Sequence, residues 1–306
     1  MHLFSAGTRP KVGLEMIAKV PVNPFTVFRD AGETCADNDD HIGLDQAVYW
    51  YRWEGDRPDC KAPLQDLKVT VSKTFSTATA AVYPEYDQLV ADKKVTAVIL
   101  FGQIGDEPEI SPSDIGVRNH ARYGRMLKAA GYKEVTATVG KRYEKTLRGG
   151  VLAQIDLYAP KEFSGLGDFA NFGNFQKALL EHEIVAYDGH SMLGASDFWT
   201  RPTYPSTYQI YLYGGCLGYE YYIKPILHGK GDSWKQLDIM SSVIEVTADA
   251  TDFAAPALAK ILFAIENGKR SSWKQILNIV REAVGDSTFG VSGVRENCYA
   301  PGGNRC

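Results

Sequence analysis

Three side chains that could carry acyl-transfer chemistry follow two apolar segments of this sequence. His190 and Ser191 stand side by side at the end of EIVAYDGHS, and Cys216 ends YQIYLYGGC. A serine or cysteine activated by an imidazole attacks a carbonyl carbon, and the imidazole then protonates the leaving group. These residue types therefore predict a hydrolase whose nucleophile is either Ser191 or Cys216.

The first hypothesis takes Ser191 as the nucleophile of an α/β-hydrolase. Such enzymes place their serine in a G-x-S-x-G elbow between a strand and a helix. Here the corresponding letters are GHSML, with Leu193 in the position of the second glycine, where a side chain crowds the turn. The base in this hypothesis is His228, the one histidine that follows Ser191 in the sequence.

The second hypothesis pairs His190 with Cys216. Each follows an apolar segment that is predicted to be a core strand, and glycines precede both residues. In open α/β sheets, sites form beyond the carboxyl ends of the strands, and glycines let the chain turn tightly there. Backbone N–H groups at Gly189 and Cys216 could form an oxyanion hole. The structural alternatives are a hydrogen-bonded His190 at a strand end and a small buried Cys216.

The elements that must position these residues alternate between strands and helices. This pattern predicts a doubly wound, mostly parallel α/β sheet with helices on both faces. Ser111 is the predicted cap of the first helix, Gly149-Gly150 is the predicted turn of a hairpin, and Gly268 and Gly285 are predicted to end the last two helices. The predicted core strands are 95–101, 133–139, 184–187, 208–213 and 238–246, and the later helices are 174–183, 254–267 and 272–284.

Residues 1–94 differ in character from the rest of the chain. They contain short β-branched and aromatic runs, such as PFTVFRD and LKVTVSKTF, separated by polar and Pro/Gly stretches. Such runs are typical of strands joined by turns. The sequence therefore predicts a small β-rich domain or extension over 1–94, followed by an α/β domain over 95–306.

Composition and charge exclude several classes of function. The chain of 306 residues is 44% hydrophobic and 23% charged, with a net charge of −4, as expected for a globular protein with a substantial core. This net negative charge does not indicate the basic surface that is typical of nucleic-acid-binding proteins. No apolar run has the length of a membrane span, and no signal peptide is visible at the N-terminus.

The five cysteines predict two disulfides and one free thiol. Cys35 and Cys60 bracket an Asp-rich segment, and Cys298 and Cys306 bracket the turn sequence YAPGGNR, which leaves Cys216 unpaired. Two disulfides indicate an oxidising compartment and hence a secreted or periplasmic protein. If all five cysteines are instead reduced and buried, a cytoplasmic location is open.

No cofactor is predicted from the sequence. The acidic run with Asp37, Asp39 and Asp40 could bind Ca²⁺, but Ile42 occupies the position of the turn glycine in an EF-hand loop. A solvated acidic loop is the favoured interpretation of this run. The histidines and cysteines show no zinc spacing, and no glycine-rich loop has phosphate-binding spacing.

The segments IVAYDGHS and YQIYLYGGC resemble motifs of the caspase-like (clan CD) cysteine peptidases, which include caspases, legumain, gingipains, clostripain and separase. In that family one apolar strand ends in His-Gly and the next in Ala-Cys or Gly-Cys. The resemblance covers residues 95–285 as an order of strands and helices. One departure is Ser191, which stands where the family usually has glycine.

This resemblance implies a cysteine endopeptidase with a His190–Cys216 dyad acting on a peptide or protein substrate. It implies an oxyanion hole built from the backbone N–H groups of Gly189, Ser191 and Cys216. It also implies a first specificity pocket between Gly102–Glu109 and Glu245–Asp252. Both segments are acidic, with Glu245 and Asp249 in the second, which predicts Arg or Lys before the cleaved bond. A module that keeps the fold and binds partners without catalysis is the remaining alternative.

Overall fold

The computed structural model describes residues 10–22, 34–35, 53–74, 81–191, 196–243, 246, 253–284 and 289–306. The chain forms two compact units, Met1–Ala80 and Ala81–Cys306. The predicted boundary at residue 94 lies inside the second unit. The segment just before it contains helix α1 (Tyr86–Leu89), whose Tyr86 hydroxyl donates to the Ser271 carbonyl at 2.9 Å.

The described part of the first unit contains an antiparallel strand pair. Strand β1 (Glu15–Pro21) pairs along its full length with β2 (Leu64–Thr70). A small cluster forms where the Cys35–Cys60 disulfide packs against Trp53. The Trp53 indole N–H donates to the Lys19 carbonyl at 2.7 Å, so the cluster is joined to β1.

The second unit contains a mixed sheet of eight strands among its described residues. The strands are β3 Lys94–Phe101, β4 Lys133–Val135, β5 Lys141–Thr146, β6 Leu152–Tyr158, β7 Ile184–Asp188, β8 Gln209–Tyr213, β9 Leu237–Ser242 and β10 Phe289–Ser292. Its spatial order is β10-β9-β8-β7-β3-β6-β5-β4. Strands β6, β3, β7, β8 and β9 run parallel, and β10, β5 and β4 are antiparallel to their neighbours. The predicted α/β class with a large, mostly parallel sheet is therefore confirmed.

The helices cover both faces of this sheet. Residues alternate along β3 between two apolar clusters, with Ile99 in the cluster that faces the long helices at 115–129, 254–267 and 273–284 and Leu100 in the cluster on the opposite face of the sheet. This alternation with a period of two is expected for a central strand that is buried on both sides. The helices are α2 Ile115–Ala129, α3 Phe172–Glu181, α4 Ser196–Thr200, α5 Gly218–Tyr221, α6 Ile223–Gly229, α7 Ala254–Asn267 and α8 Trp273–Val284.

The predicted core strand at 133–139 is wrong. Only Lys133–Val135 forms a strand, and this strand is fully exposed at the antiparallel edge of the sheet. The place beside β3 belongs to Leu152–Tyr158, the second strand of the predicted hairpin. The sequence predicted this segment only as part of a hairpin, and its buried Asp156 is satisfied by Arg142 and by His182.

The predicted helix starts and ends are partly corrected. Helix α2 is capped by Asp114 instead of Ser111, because the Asp114 carboxylate accepts from the N–H groups of Gly116 and Val117. Gly268 ends α7 in the left-handed conformation at φ 66°, as predicted, since glycine has no Cβ to clash there. Gly285 lies outside the described residues. The predicted strand at 238–246 ends at Ser242.

Both predicted disulfides are present, Cys35–Cys60 and Cys298–Cys306, and Cys216 is a free thiol. Each bridge closes a short loop, with sequence separations of 25 and 8 residues. No helix within the described ranges has the length and apolar character needed to cross a membrane.

Candidate active site

His190 and Cys216 occupy equivalent positions on two neighbouring parallel strands. The last residue pair between β7 and β8 is Tyr187 with Tyr213. His190 lies three residues beyond the first of these (190 − 187) and Cys216 three residues beyond the second (216 − 213). Neighbouring strands lie about 4.8 Å apart. The sheet thus brings the two turns together at its carboxyl edge, where α/β proteins form their sites.

The imidazole of His190 is exposed and held at one nitrogen. Its Nε2 atom lies 2.8 Å from the carbonyl oxygen of Ile104, in the loop after β3. Because a carbonyl oxygen only accepts, Nε2 carries the proton in this contact, and Nδ1 is the unprotonated nitrogen of the neutral ring. The Tyr187 hydroxyl donates to the His190 carbonyl at 2.8 Å, which fixes the backbone of the turn.

The loop that presents the Ile104 carbonyl is fixed by Asp114. One carboxylate oxygen accepts from the N–H groups of Ile104 at 3.0 Å and Gly105 at 2.7 Å. The other accepts from Gly116 at the start of α2 at 2.8 Å. One side chain therefore joins the helix to the loop that holds His190. The cap signal at 111–114 was visible in the sequence, but the contact of Asp114 with the loop was not.

The Cys216 thiol is half-buried and contacts the backbone of Val246. The Val246 N–H donates to Sγ at 3.4 Å, and Sγ lies 3.6 Å from the Val246 carbonyl oxygen. The residue after the cysteine, Leu217, has φ 52°. A left-handed conformation is costly for a bulky residue, and such strain is concentrated at functional turns.

The Ser191 side chain connects the two turns. It is only 7% exposed, and its hydroxyl donates to the carbonyl oxygen of Cys216. The buried hydroxyls of Tyr213 and Tyr222 lie against it. The sequence suggested Ser191 as a nucleophile or as a backbone donor. It did not indicate that the Ser191 hydroxyl joins the two turns.

The histidine proposed as the base for Ser191 is engaged elsewhere. The Nδ1 atom of His228, in α6, lies 3.2 Å from an Asp232 carboxylate oxygen, and both side chains are exposed. Within the part of the chain that the structure describes, the Ser191 hydroxyl makes no hydrogen bond to a histidine. The described residues therefore lack the serine–histidine hydrogen bond that the serine hypothesis requires.

Glycines before His190 and Cys216 allow close packing. A Cβ atom built on Gly214 would lie 1.9 Å from the Phe253 ring, and one on Gly215 would lie 2.6 Å from Ser191 Oγ. A Cβ on Gly189 would lie 2.5 Å from the Tyr187 hydroxyl. The sequence indicated glycines for tight turns, but at Gly214 the close neighbour is the Phe253 ring of the core.

Gly214→Ala is expected to destabilise the protein because the added methyl group overlaps the buried Phe253 ring. Overpacking of this kind costs about 1–3 kcal/mol of unfolding free energy. Gly290→Ala in β10 is the matched control, since a Cβ there meets nothing within 4 Å. Urea unfolding of both variants measures the difference. Equal midpoints would contradict the packing described for Gly214.

A cavity of about 340 Å³ opens beside His190. The loops after β3 and β6 line it, with Tyr187 and His190 from the end of β7. Its walls carry the carboxylates of Asp106, Glu107 and Asp168, and no lysine or arginine is among the described residues that line it. Burial acts to raise the pKa of Asp168, but hydrogen bonds from Ser164 and Asn171 outweigh burial and hold that pKa below its usual range.

Several predicted residues lie outside the described residues. These include the predicted pocket residues Glu245 and Asp249, and the acidic run with Asp37, Asp39 and Asp40. Among the residues that are described, no group of three or more His, Cys, Asp or Glu side chains could hold a metal ion.

Comparison of the chain with protein-family models, with curated proteins and with solved structures finds no match.

Proposed function

We propose that this protein is a cysteine endopeptidase in which Cys216 is the nucleophile and His190 the acid–base residue. The observation that carries the proposal is the equivalent position of the two residues beyond paired parallel strands. The bond from Ser191 to the Cys216 carbonyl supports it further, because it holds the two turns against each other.

In the proposed reaction, Nδ1 of His190 accepts the thiol proton while Nε2–H remains bonded to the Ile104 carbonyl. The sulfur attacks the peptide carbonyl carbon, and the imidazolium then gives its proton to the leaving nitrogen as the C–N bond breaks. Water hydrolyses the thioester in the second half of the cycle.

The backbone N–H groups of Gly189, Ser191 and Cys216 are proposed to stabilise the tetrahedral oxyanion. Among the described residues none of the three donates a hydrogen bond, which is compatible with this role. Preorganised donors of this kind contribute strongly to acyl transfer, about 10²–10³-fold in rate for one donor. Replacement of the family's usual glycine by Ser191 keeps a backbone N–H at this position.

A caspase-like fold is part of the proposal. Numbered in chain order, the five parallel strands lie in the spatial order 2-1-3-4-5, which is an order of doubly wound sheets. The pair carrying His190 and Cys216 is then the third and fourth of these strands. This arrangement is compatible with the motif order of the family that the sequence resembles.

Two finer statements also remain proposals. The preference for Arg or Lys before the cleaved bond rests on the acidic residues of Gly102–Glu109 and Glu245–Asp252, and Glu245 and Asp249 of the second segment lie outside the described residues. A secreted or periplasmic location is compatible with the two disulfides, which persist in oxidising compartments.

Thiol labelling tests the proposed dyad. Cys216 is the free cysteine beside two disulfides, so iodoacetamide modifies one position. Because the thiolate is the reactive form, we expect labelling of the unaltered protein at pH 7 to be about tenfold or more faster than that of His190→Ala. Mass spectrometry of quenched samples measures the rate.

His228→Ala is the matched control for losing an imidazole, and its labelling rate should equal that of the unaltered protein. Equally slow labelling of all three proteins would reject the dyad and favour a binding module without catalysis. Labelling of Ser191 by a fluorophosphonate would instead favour the serine hypothesis.

A further inference from the structure

Two buried tyrosines occupy paired positions just before the turns that carry His190 and Cys216. Tyr187 and Tyr213 are the last residue pair between β7 and β8, and their ring centroids lie 5.4 Å apart. The two side chains are 2% and 1% exposed and belong to the same apolar cluster on one face of the sheet. The hydroxyl group of each ring extends out of this cluster toward the backbone of the turns.

The Tyr187 hydroxyl lies where three loops meet. Cβ atoms built on Gly102, Gly165 and Gly189 would lie 3.2, 3.3 and 2.5 Å from it, which places it among the loops after β3, β6 and β7. This hydroxyl donates to the His190 carbonyl at 2.8 Å. A single buried group therefore fixes the backbone that presents the imidazole to the neighbouring turn.

The Tyr213 hydroxyl lies at the contact between the two turns. A Cβ atom built on Gly215 would lie 2.6 Å from Ser191 Oγ and 2.8 Å from this hydroxyl, so both oxygens border the same small space. Ser191 gives its proton to the Cys216 carbonyl, so its oxygen can only accept from a further neighbour. Tyr213 lies against that oxygen, and its buried hydroxyl has no hydrogen-bond partner among the described residues. A buried donor without an acceptor is costly, which favours donation from Tyr213 to Ser191.

We propose that Tyr187 and Tyr213 are positioning residues of the dyad, the first acting through the His190 carbonyl and the second through Ser191 and the Cys216 carbonyl. The inference rests on the proposed function and adds the groups that hold the imidazole and the thiol at reacting distance. Both tyrosines act on the backbone of the turns and not on the substrate. Such support matters because a misplacement of about 1 Å can cost about 10²-fold in rate.

Both hydroxyls remain protonated donors over the pH range in which a thiol ionises. Burial raises the pKa of Tyr187 and that of Tyr213 well above the usual value of tyrosine. A pH dependence that changes when one hydroxyl is removed therefore reports on His190 and Cys216, and not on ionisation of a tyrosine.

Iodoacetamide labelling of Cys216 in Tyr187→Phe and Tyr213→Phe tests the inference without a known substrate. Each substitution keeps the ring and removes the hydroxyl. We expect labelling at pH 7 to be about threefold to tenfold slower than in the unaltered protein, the loss expected for one hydrogen bond. At pH 9.5 the rates should be equal, because above the usual thiol pKa of about 8.5 the thiolate forms without help from the imidazole.

Tyr211→Phe is the matched control. Tyr211 lies two residues earlier in β8, is 2% exposed and belongs to the same apolar cluster, but its hydroxyl donates to the Gln209 side-chain oxygen at 3.2 Å. We expect this variant to label at the unaltered rate at both pH values. Thermal unfolding measures whether the three variants are folded, and Tyr213→Phe decides alone if Tyr187→Phe does not fold.

Double variants separate positioning from a general loss of packing. Ser191→Ala and Tyr213→Phe interrupt the same line of contacts to the Cys216 carbonyl, so together they should slow labelling at pH 7 no more than Ser191→Ala alone. Ser191→Ala and Tyr187→Phe act on different turns, so their effects on the rate should multiply.

Three results would each overturn the inference. They are labelling of a folded Tyr187→Phe or Tyr213→Phe protein at the unaltered rate at pH 7, equal slowing at pH 7 and pH 9.5, and slowing of Tyr211→Phe by a similar factor. Multiplied effects of Ser191→Ala and Tyr213→Phe would remove the part assigned to Tyr213. Failure of the proposed function is seen instead in the unaltered protein, which would label as slowly as His190→Ala, so the two failures are distinguishable.

Discussion

Replacement of Cys216 by alanine is expected to lower kcat/KM for peptide cleavage by about 10³-fold or more, because in the proposed mechanism the acyl intermediate forms on its sulfur. The measurement is cleavage of a mixed synthetic peptide library, followed by mass spectrometry. His190→Ala should lower the rate about 10²–10⁴-fold, the usual range for loss of general acid–base catalysis.

Ser191→Ala should have a much smaller effect on the same reaction. Only its backbone N–H is proposed to act on the substrate, and its hydroxyl serves to hold the Cys216 carbonyl. Loss of one such hydrogen bond costs about 1 kcal/mol, which corresponds to a rate loss of roughly tenfold or less. Ser113→Ala, which removes an exposed hydroxyl before α2, is the matched control and should leave the cleavage rate unchanged.

The ranking of the variants separates the hypotheses. An inactive Ser191→Ala beside an active Cys216→Ala would replace the cysteine mechanism by the serine mechanism. An unaltered protein that cleaves no peptide in the library and labels slowly at Cys216 would favour the binding module.

Asp156→Asn is expected to have the largest effect on stability. Asp156 lies in β6, is 1% exposed, and accepts two hydrogen bonds from Arg142, at 2.8 and 2.7 Å. The buried His182 contacts the same carboxylate at 3.2 Å through Nε2. Removing one partner of a buried charged network costs about 3–5 kcal/mol, because the remaining charges lose their compensation.

The pKa of Asp156 gives this prediction a pH dependence. Burial acts to raise that pKa, but hydrogen bonds from Arg142 and His182 outweigh burial and hold it below its usual range. The stabilisation is therefore complete above the unfolded-state pKa of about 4, and it is lost as the pH falls through the lower folded-state pKa. Urea unfolding at pH 7 and at pH 3 should show a smaller difference between the two proteins at pH 3.

Glu134→Gln is the matched control for Asp156→Asn. Glu134 pairs with Lys128 at 2.7 Å, but the two side chains are 36% and 57% exposed. Exposed ion pairs contribute about 0–1 kcal/mol, because water already solvates both charges. A Glu134→Gln effect as large as that of Asp156→Asn would show that burial does not decide the cost.

The sequence by itself determined the elements that carry the candidate site. The apolar segments before His190 and Cys216 form β7 and β8, and the two glycines at 149–150 turn the β5–β6 hairpin. The cysteine spacing gave both disulfides. These features are local, because periodicity, turn residues and short loops each depend on residues that are close together in the sequence.

The tertiary structure alone decided the order of the strands and the partners of the site residues. Residues 133–139 and 152–158 both have strand character, but only the second pairs with β3, and its polar Asp156 is satisfied from two other elements. The Ile104 carbonyl reaches His190 across 86 positions of the sequence.

The contact between Ser191 and Cys216 and the acidic cavity likewise join segments that are distant in the chain. Such pairings depend on which strands become neighbours. That choice reflects the burial and hydrogen bonding of the whole sheet, so no local pattern of residues specifies it.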